Sequence, residues 1–97
     1  MAGMYRVTWT AEAKSRVDEI IAYLRRNWSE KEVNDFLDLL LHFENTISRF
    51  PKSYKESAKF ENCRLGLIHR HVSAVYKISR REITVLTVFD NRRDVQS

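Results

Sequence analysis

A single cysteine leaves the chain no way to close a disulfide within itself. Cys63 stands in a strand-like stretch, so it reads as a small core residue in a reducing compartment, and nothing beside it would activate a thiolate. Proline occurs once and glycine twice, too few for a disordered or loop-built chain. No apolar run approaches the roughly 18 residues that would span a bilayer. No continuous apolar segment near the start reads as a secretory signal. There are no repeats and no low-complexity tracts, and the histidines, cysteine and carboxylates do not fall at metal-ligand spacing. These absences point to one soluble, cytoplasmic domain over residues 1–97, without metal or cofactor. Met1-Ala2-Gly3 reads as an added leader ahead of a start at Met4.

Cations, by contrast, are plentiful. The 97 residues carry a net charge of +4, at a pI near 9.5. That charge is lopsided. Residues 1–51 hold seven Lys/Arg against eight Asp/Glu, a net −1; residues 52–97 hold ten against five, a net +5. An anionic partner, nucleic acid first and an acidic protein segment second, is therefore expected on the second half. A plain solvated basic face is the competing reading.

The apolar pattern divides the chain cleanly. Tyr5, Val7 and Trp9 alternate with Arg6 and Thr8, the period of a strand. Thr10 offers an N-cap hydroxyl, with Glu12 in the first turn. Ala13, Val17, Ile20, Ile21, Leu24 and Trp28 then recur at helical spacing, opposite a charged face that includes Arg25 and Arg26. Ser29 and Glu32 have capping-box spacing, flanked by Trp28 and Val33 as a hydrophobic staple. A second helix follows with Val33, Phe36, Leu37, Leu40, Leu41, Ile47 and Phe50 inward, stopped by Pro51. With almost no connection, the helices fold back as an antiparallel hairpin, with Trp9 and Trp28 packing at its corner. Residues 52–61 form a polar loop, long for a mere connector. Cys63, Leu65 and Leu67 alternate with Arg64 and Gly66 in a strand. After a turn near Arg70–Ser73, Ala74, Tyr76 and Ile78 interleave with Val75 and Lys77. Arg80-Arg81-Glu82 turn the chain into Ile83–Phe89, apolar on both faces and so a central strand covered on both sides.

The order β-α-α-β-β-β is an α+β arrangement, a helical hairpin packed on a small, largely antiparallel sheet. Arginines at strand ends, their guanidinium forks matched to phosphate or carboxylate, make the other face of that sheet the expected docking surface. Arg64 is the foremost candidate; an ion pair to Asp90 or Asp94 is its alternative. Apolar residues on both strand faces also permit a homodimer.

The joint order of these features, from the strand ending in Trp9 through Trp28-Ser29, Phe50-Pro51, Arg64 and Tyr76-Lys77-Ile78 to Asp90-Asn91-Arg92-Arg93-Asp94, resembles the RelE/ParE superfamily of type II toxin–antitoxin toxins. The resemblance covers roughly residues 4–94. It implies a compact toxin wrapped by a partner antitoxin, acidic and partly disordered. It also implies one of two activities: ribosome-dependent mRNA cleavage, or poisoning of DNA gyrase without cleavage. Metal-free RNA cutting needs a base for the 2′-hydroxyl, cations for the phosphorane and an acid for the leaving oxygen. On the resemblance, Arg64, Arg92 and Arg93 would be the cations, with His69 or His71 carrying protons. Asp90, however, stands where several active relatives have His, and no Tyr or His follows it. That departure favours a ParE-like toxin acting by binding, through Arg64, Arg70, Arg92, Arg93, Lys55 and Lys59. An mRNA endonuclease and an inert module that only binds its antitoxin remain the alternatives. Tyr76 reads as a core or sheet-face aromatic, and Arg80-Arg81 as a turn kept soluble by charge.

Overall fold

A computed structural model of the chain describes residues 4–91; the expectations for Met1–Gly3 and for Arg92, Arg93 and Asp94 lie outside that range. The elements are β1 (Arg6–Trp9), α1 (Ala11–Asn27), α2 (Glu30–Arg49), β2 (Arg64–His69), β3 (Val72–Ser79) and β4 (Glu82–Asp90). The strands lie in the order β1-β4-β3-β2. β1 runs parallel to β4; the β4–β3 and β3–β2 pairs are antiparallel. β4 is thus central, as its doubly apolar pattern predicts. Its helix-facing Ile83, Val85 and Val88 are sealed, whereas Thr84, Leu86, Thr87 and Phe89 are only half-buried. Covering on both sides is therefore corrected to one side.

The two helices stack on one face, α1 mainly against β4 and α2 against β2. Between the layers Ala13, Ile20, Phe36, Phe43 and Ile47 meet Ile68, Val72, Ala74, Tyr76, Ile83, Val85 and Val88. Ser29 caps α2, its hydroxyl accepting from the Glu32 N–H at 3.4 Å. Thr10 has two tasks. Its hydroxyl accepts from the Ala13 N–H at 3.0 Å, capping α1, and donates to the Leu86 carbonyl at 2.7 Å. Leu86 is the extra residue of a β-bulge, since Val85 pairs with Tyr76 and Thr87 with Val75. A bulge leaves such a group outside the ladder, and the cap hydroxyl takes it up. β1 is pinned to α2 as well: the Tyr5 N–H donates to the Ser48 carbonyl (2.9 Å), and the Ser48 hydroxyl returns a bond to the Tyr5 carbonyl (2.7 Å).

Several side chains expected inside are not. Trp28 is 63% exposed and Phe50 64%; Leu37 and Leu41 are exposed too. The buried stripe of α2 is Val33, Phe36, Leu40, Phe43 and Ile47, a narrow seam spaced by three and four residues, and Leu37 and Leu41 fall beside it. Trp28 therefore does not staple the helix corner, whereas Trp9 does pack on the core.

The turn before β3 is also tighter than expected: Arg70 and His71 alone make it, and Ser73 is already in the strand. Residues 52–62 are not a slack connector. The Leu65 N–H donates to the Lys55 carbonyl (3.0 Å), the Ser57 N–H donates to the Cys63 carbonyl (2.8 Å), and Glu56 bridges Arg64 in antiparallel fashion. The loop thereby covers the first half of the β2 edge, where unpaired backbone groups would invite another strand.

Candidate functional site

Strand alternation decides where the sequence-predicted residues point. In β2, Gly66 and Ile68 are buried and Leu65 and Leu67 are exposed. The glycine faces the helices because the Phe43 and Tyr54 rings occupy the space a side chain would need. By register, the face turned away from the helices carries Leu65, Leu67, Ser73, Val75, Thr84, Thr87 and Phe89, of which Ser73 and Val75 are buried, with Arg6 and Lys77 as its cations. The expected guanidinium-studded face is corrected: the open face is largely apolar, and the cations gather at strand ends and turns.

Arg64 shares the helix-side face of β2 with Gly66 and Ile68. Its side chain is only 18% exposed. One guanidinium nitrogen donates to the Tyr54 carbonyl at 2.6 Å and reaches the Lys52 carbonyl at 3.5 Å. The other lies 3.6 Å from the exposed Glu56 carboxylate. Its acid partner is thus Glu56; Asp90 is at the far end of the sheet, opposite Val72. The arginine latches the loop onto β2. Lys55 and Lys59 sit on that loop, both exposed.

His69 and His71 gather at the other end of β2. Their ring centroids are 6.5 Å apart, and His69 meets Phe36 edge-on, also at 6.5 Å. Arg70 is exposed between them. The Asn91 N–H closes this end on the His71 carbonyl at 2.5 Å, and its side-chain amide donates to Ser73 at 3.1 Å. Five residue steps of strand lead from Arg64 to His69, about 16 Å at the rise of a β-strand. The structure therefore does not bring the arginine and the imidazoles together. Among the described residues, no group of three or more His, Cys, Asp or Glu could hold a metal.

Beside Arg64 on β3 stands its register partner, Tyr76. Tyr76 is fully buried, and its phenol donates to the Pro51 carbonyl at 2.6 Å. Burial pushes this phenol up to about 12, with Arg64 opposing the shift. Burial raises Tyr54 as well. A phenol so held keeps its proton at neutral pH, has its one donor committed and is sealed from a substrate. It also predicts a pH response. A free phenol titrates near 10, so between about pH 10 and 12 the unfolded chain sheds a proton that the folded chain keeps. Stability is then complete below pH 10 and falls as pH rises toward 12, by at most about 2–3 kcal/mol. Urea melts across pH 9–12 should show this fall, and Tyr76→Phe should flatten it. An equal slope in the variant would assign the loss to other groups.

Sequence reasoning passed over one gathering of cations. Parallel pairing places Arg6 opposite Glu82, and the Arg6 N–H donates to the Arg81 carbonyl at 3.1 Å. Arg6, Ser79, Arg80, Arg81 and Glu82 line one open cavity of about 370 Å³. On the other side of β3, Glu56, Ser57, Asn62, Cys63, Arg64, Lys77 and Ile78 line a second of about 390 Å³. Residues 6 and 81 meet only through a pairing that spans most of the chain, which no local periodicity reveals. Cys63 is buried and unbridged at the edge of the second cavity.

Known proteins fit this architecture. The chain covers 90% of itself and 96% of a subunit of the chromosomal ParDE toxin–antitoxin system of Pseudomonas aeruginosa, at 16% identity and a TM-score of 0.76. A conserved hypothetical protein of Helicobacter pylori, HP0894, superposes over 92% of this chain and 97% of its own, at 17% identity and a TM-score of 0.59. A chain of the E. coli DinJ-YafQ toxin–antitoxin complex does so over 96% and 99%, at 7% identity and a TM-score of 0.62. At such identities the likeness speaks for the fold alone. No curated protein matches the sequence. The family model of the ParE toxin of the type II toxin–antitoxin system parDE matches residues 7–95. Spanning all six structural elements, that match establishes that the chain belongs to the ParE toxins of type II toxin–antitoxin systems.

Proposed function

We propose that this toxin inhibits growth by binding an essential macromolecular target, DNA gyrase foremost, and does not cut RNA. The observation carrying this reading is the separation of parts. The strand arginine is spent on carbonyls of its own loop, the imidazoles lie at the opposite end of β2, and the nearby phenol is held protonated. Metal-free cleavage needs cation, base and acid around one phosphate, and the described residues do not gather them. An acidic antitoxin suits the rest of the surface. Leu65 and Leu67 on the sheet, and Leu37 and Leu41 one turn apart on α2, offer apolar anchors on a chain of net charge +4.

Induced expression in bacteria tests the reading. The expected outcome is arrested growth with stalled gyrase–DNA complexes and a DNA-damage response. Codon-spaced breaks in translated messages would make the protein a ribosome-dependent endonuclease instead. Unimpaired growth would leave an inert module that only engages its antitoxin.

A further inference from the structure

We propose that the end of the sheet around the β3–β4 turn is a binding site for the phosphodiester backbone of duplex DNA. The site is made by Arg6, Arg80, Arg81 and Lys77. Arg6 opens β1, Arg80 and Arg81 form the turn, and Lys77 lies on β3 three residues before Arg80, lining the neighbouring cavity. All four side chains are exposed. None makes a hydrogen bond or ion pair among the described residues, in contrast to the latched Arg64. Neighbouring strands lie about 4.8 Å apart, so β1, β4 and β3 spread these cations over about 10 Å. Successive phosphates of one strand advance about 3.4 Å along the duplex axis and lie roughly twice that far apart in space, so the row, with its long side chains, spans about two to three of them.

The lining decides between candidate anions. The cavity of Arg6, Ser79, Arg80, Arg81 and Glu82 holds no apolar side chain. A docked acidic peptide would bury apolar anchors beside its carboxylates, and the exposed leucines lie on the sheet face and on α2. The lining also has no aromatic ring on which an unpaired base could stack, which a single-stranded ligand would want. Guanidinium forks facing a polar cavity suit phosphate oxygens, bidentate and always charged. Glu82 is the opposing charge in that cavity, outnumbered three to one, and Lys77 adds a fourth cation from the neighbouring cavity, where Glu56 faces Arg64. Arg80 adds one detail: it takes a φ of 45°, a left-handed position that glycine or asparagine would fill with less strain.

The inference does not depend on the gyrase reading, since a toxin with any target would carry the same row. Fluorescence anisotropy with a labelled 20-base-pair duplex of mixed sequence tests it. The parent should bind at low salt, with log K falling against log salt at a slope of about −3, near −0.9 per neutralised phosphate. Arg6→Gln with Arg81→Gln should reduce the slope by about 2 and weaken binding at least tenfold, with melting temperature unchanged. Arg80→Gly should weaken binding while holding or raising stability. Lys52→Gln with Lys55→Gln removes equal charge from the neighbouring loop and should cost less than threefold. Four outcomes overturn the proposal: no binding by the parent, equal loss in the loop control, tighter binding to single strands than to duplex, or displacement by a poly-glutamate peptide as efficient as by unlabelled duplex.

Discussion

Gly66→Ala is expected to cost roughly 1–3 kcal/mol, although alanine normally suits a strand better than glycine. The backbone has no need of glycine here, for Gly66 does not take a positive φ. What forbids a side chain is space. A Cβ on residue 66 would come 2.5 Å from the edge of the Phe43 ring and 3.1–3.2 Å from the Tyr54 ring. Phe43 is sealed in the core and packs against both Tyr54 and Tyr76, so it has no room to retreat. In most strands the same change would gain up to about 1 kcal/mol by restricting the unfolded chain. The sign of the result therefore tests the close approach. Thermal melting should drop by on the order of 10 °C in a domain this small. Phe43→Leu should itself destabilise, yet it should recover part of the loss when combined with Gly66→Ala. A stabilised Gly66→Ala, or strict additivity of the two changes, would refute the contact.

Arg64→Ala is expected to lower stability by about 2 kcal/mol and to free the loop, beyond any loss of toxicity. A hydrogen bond from a charged donor is worth about 1.5–3 kcal/mol, and the Tyr54 carbonyl would lose its donor. The Glu56 contact adds little, because at 3.6 Å its carboxylate is almost wholly in water. Lys52, Lys55 and Lys59 provide a built-in readout: limited trypsin should cut the variant faster at these positions. Arg64→Lys should recover only part of the protection, since an ammonium cannot span two carbonyls and a carboxylate in one plane. Unchanged melting and trypsin resistance, together with abolished toxicity, would show that the head instead contacts the target.

These two residues also mark how far the sequence is legible. Local chemistry reads well. Thr10 and Ser29 are cap residues by type and spacing, and both cap. The doubly apolar Ile83–Phe89 run is an inner strand, as expected, although only its helix-facing side is fully covered. Non-local chemistry does not read. Nothing near Arg64 says that its partner is a carbonyl ten residues back, so a latch and a ligand contact look alike. Nothing near Gly66 announces two rings from α2 and the loop. Leu37 and Leu41 satisfy helical periodicity, but the seam against the sheet is narrower than the apolar stripe. The meeting of Arg6 with Arg80 and Arg81 requires knowing that β1 joins β4. Of the site residues, the histidines read correctly as lying near a turn, while their distance from Arg64 follows only from the length of the strand between them.

The pairing of β1 with β4 has a consequence for the toxin's birth. At about 5–20 residues per second, some 4–15 seconds pass between the emergence of Trp9 and that of its companion Val85. During that interval the opening strand has nowhere to lie, the row of cations around Arg6 is unbuilt, and the core lacks its middle. A half-made copy thus lacks the fold on which the proposed target binding rests. The interval also gives an antitoxin already present a head start on its captive.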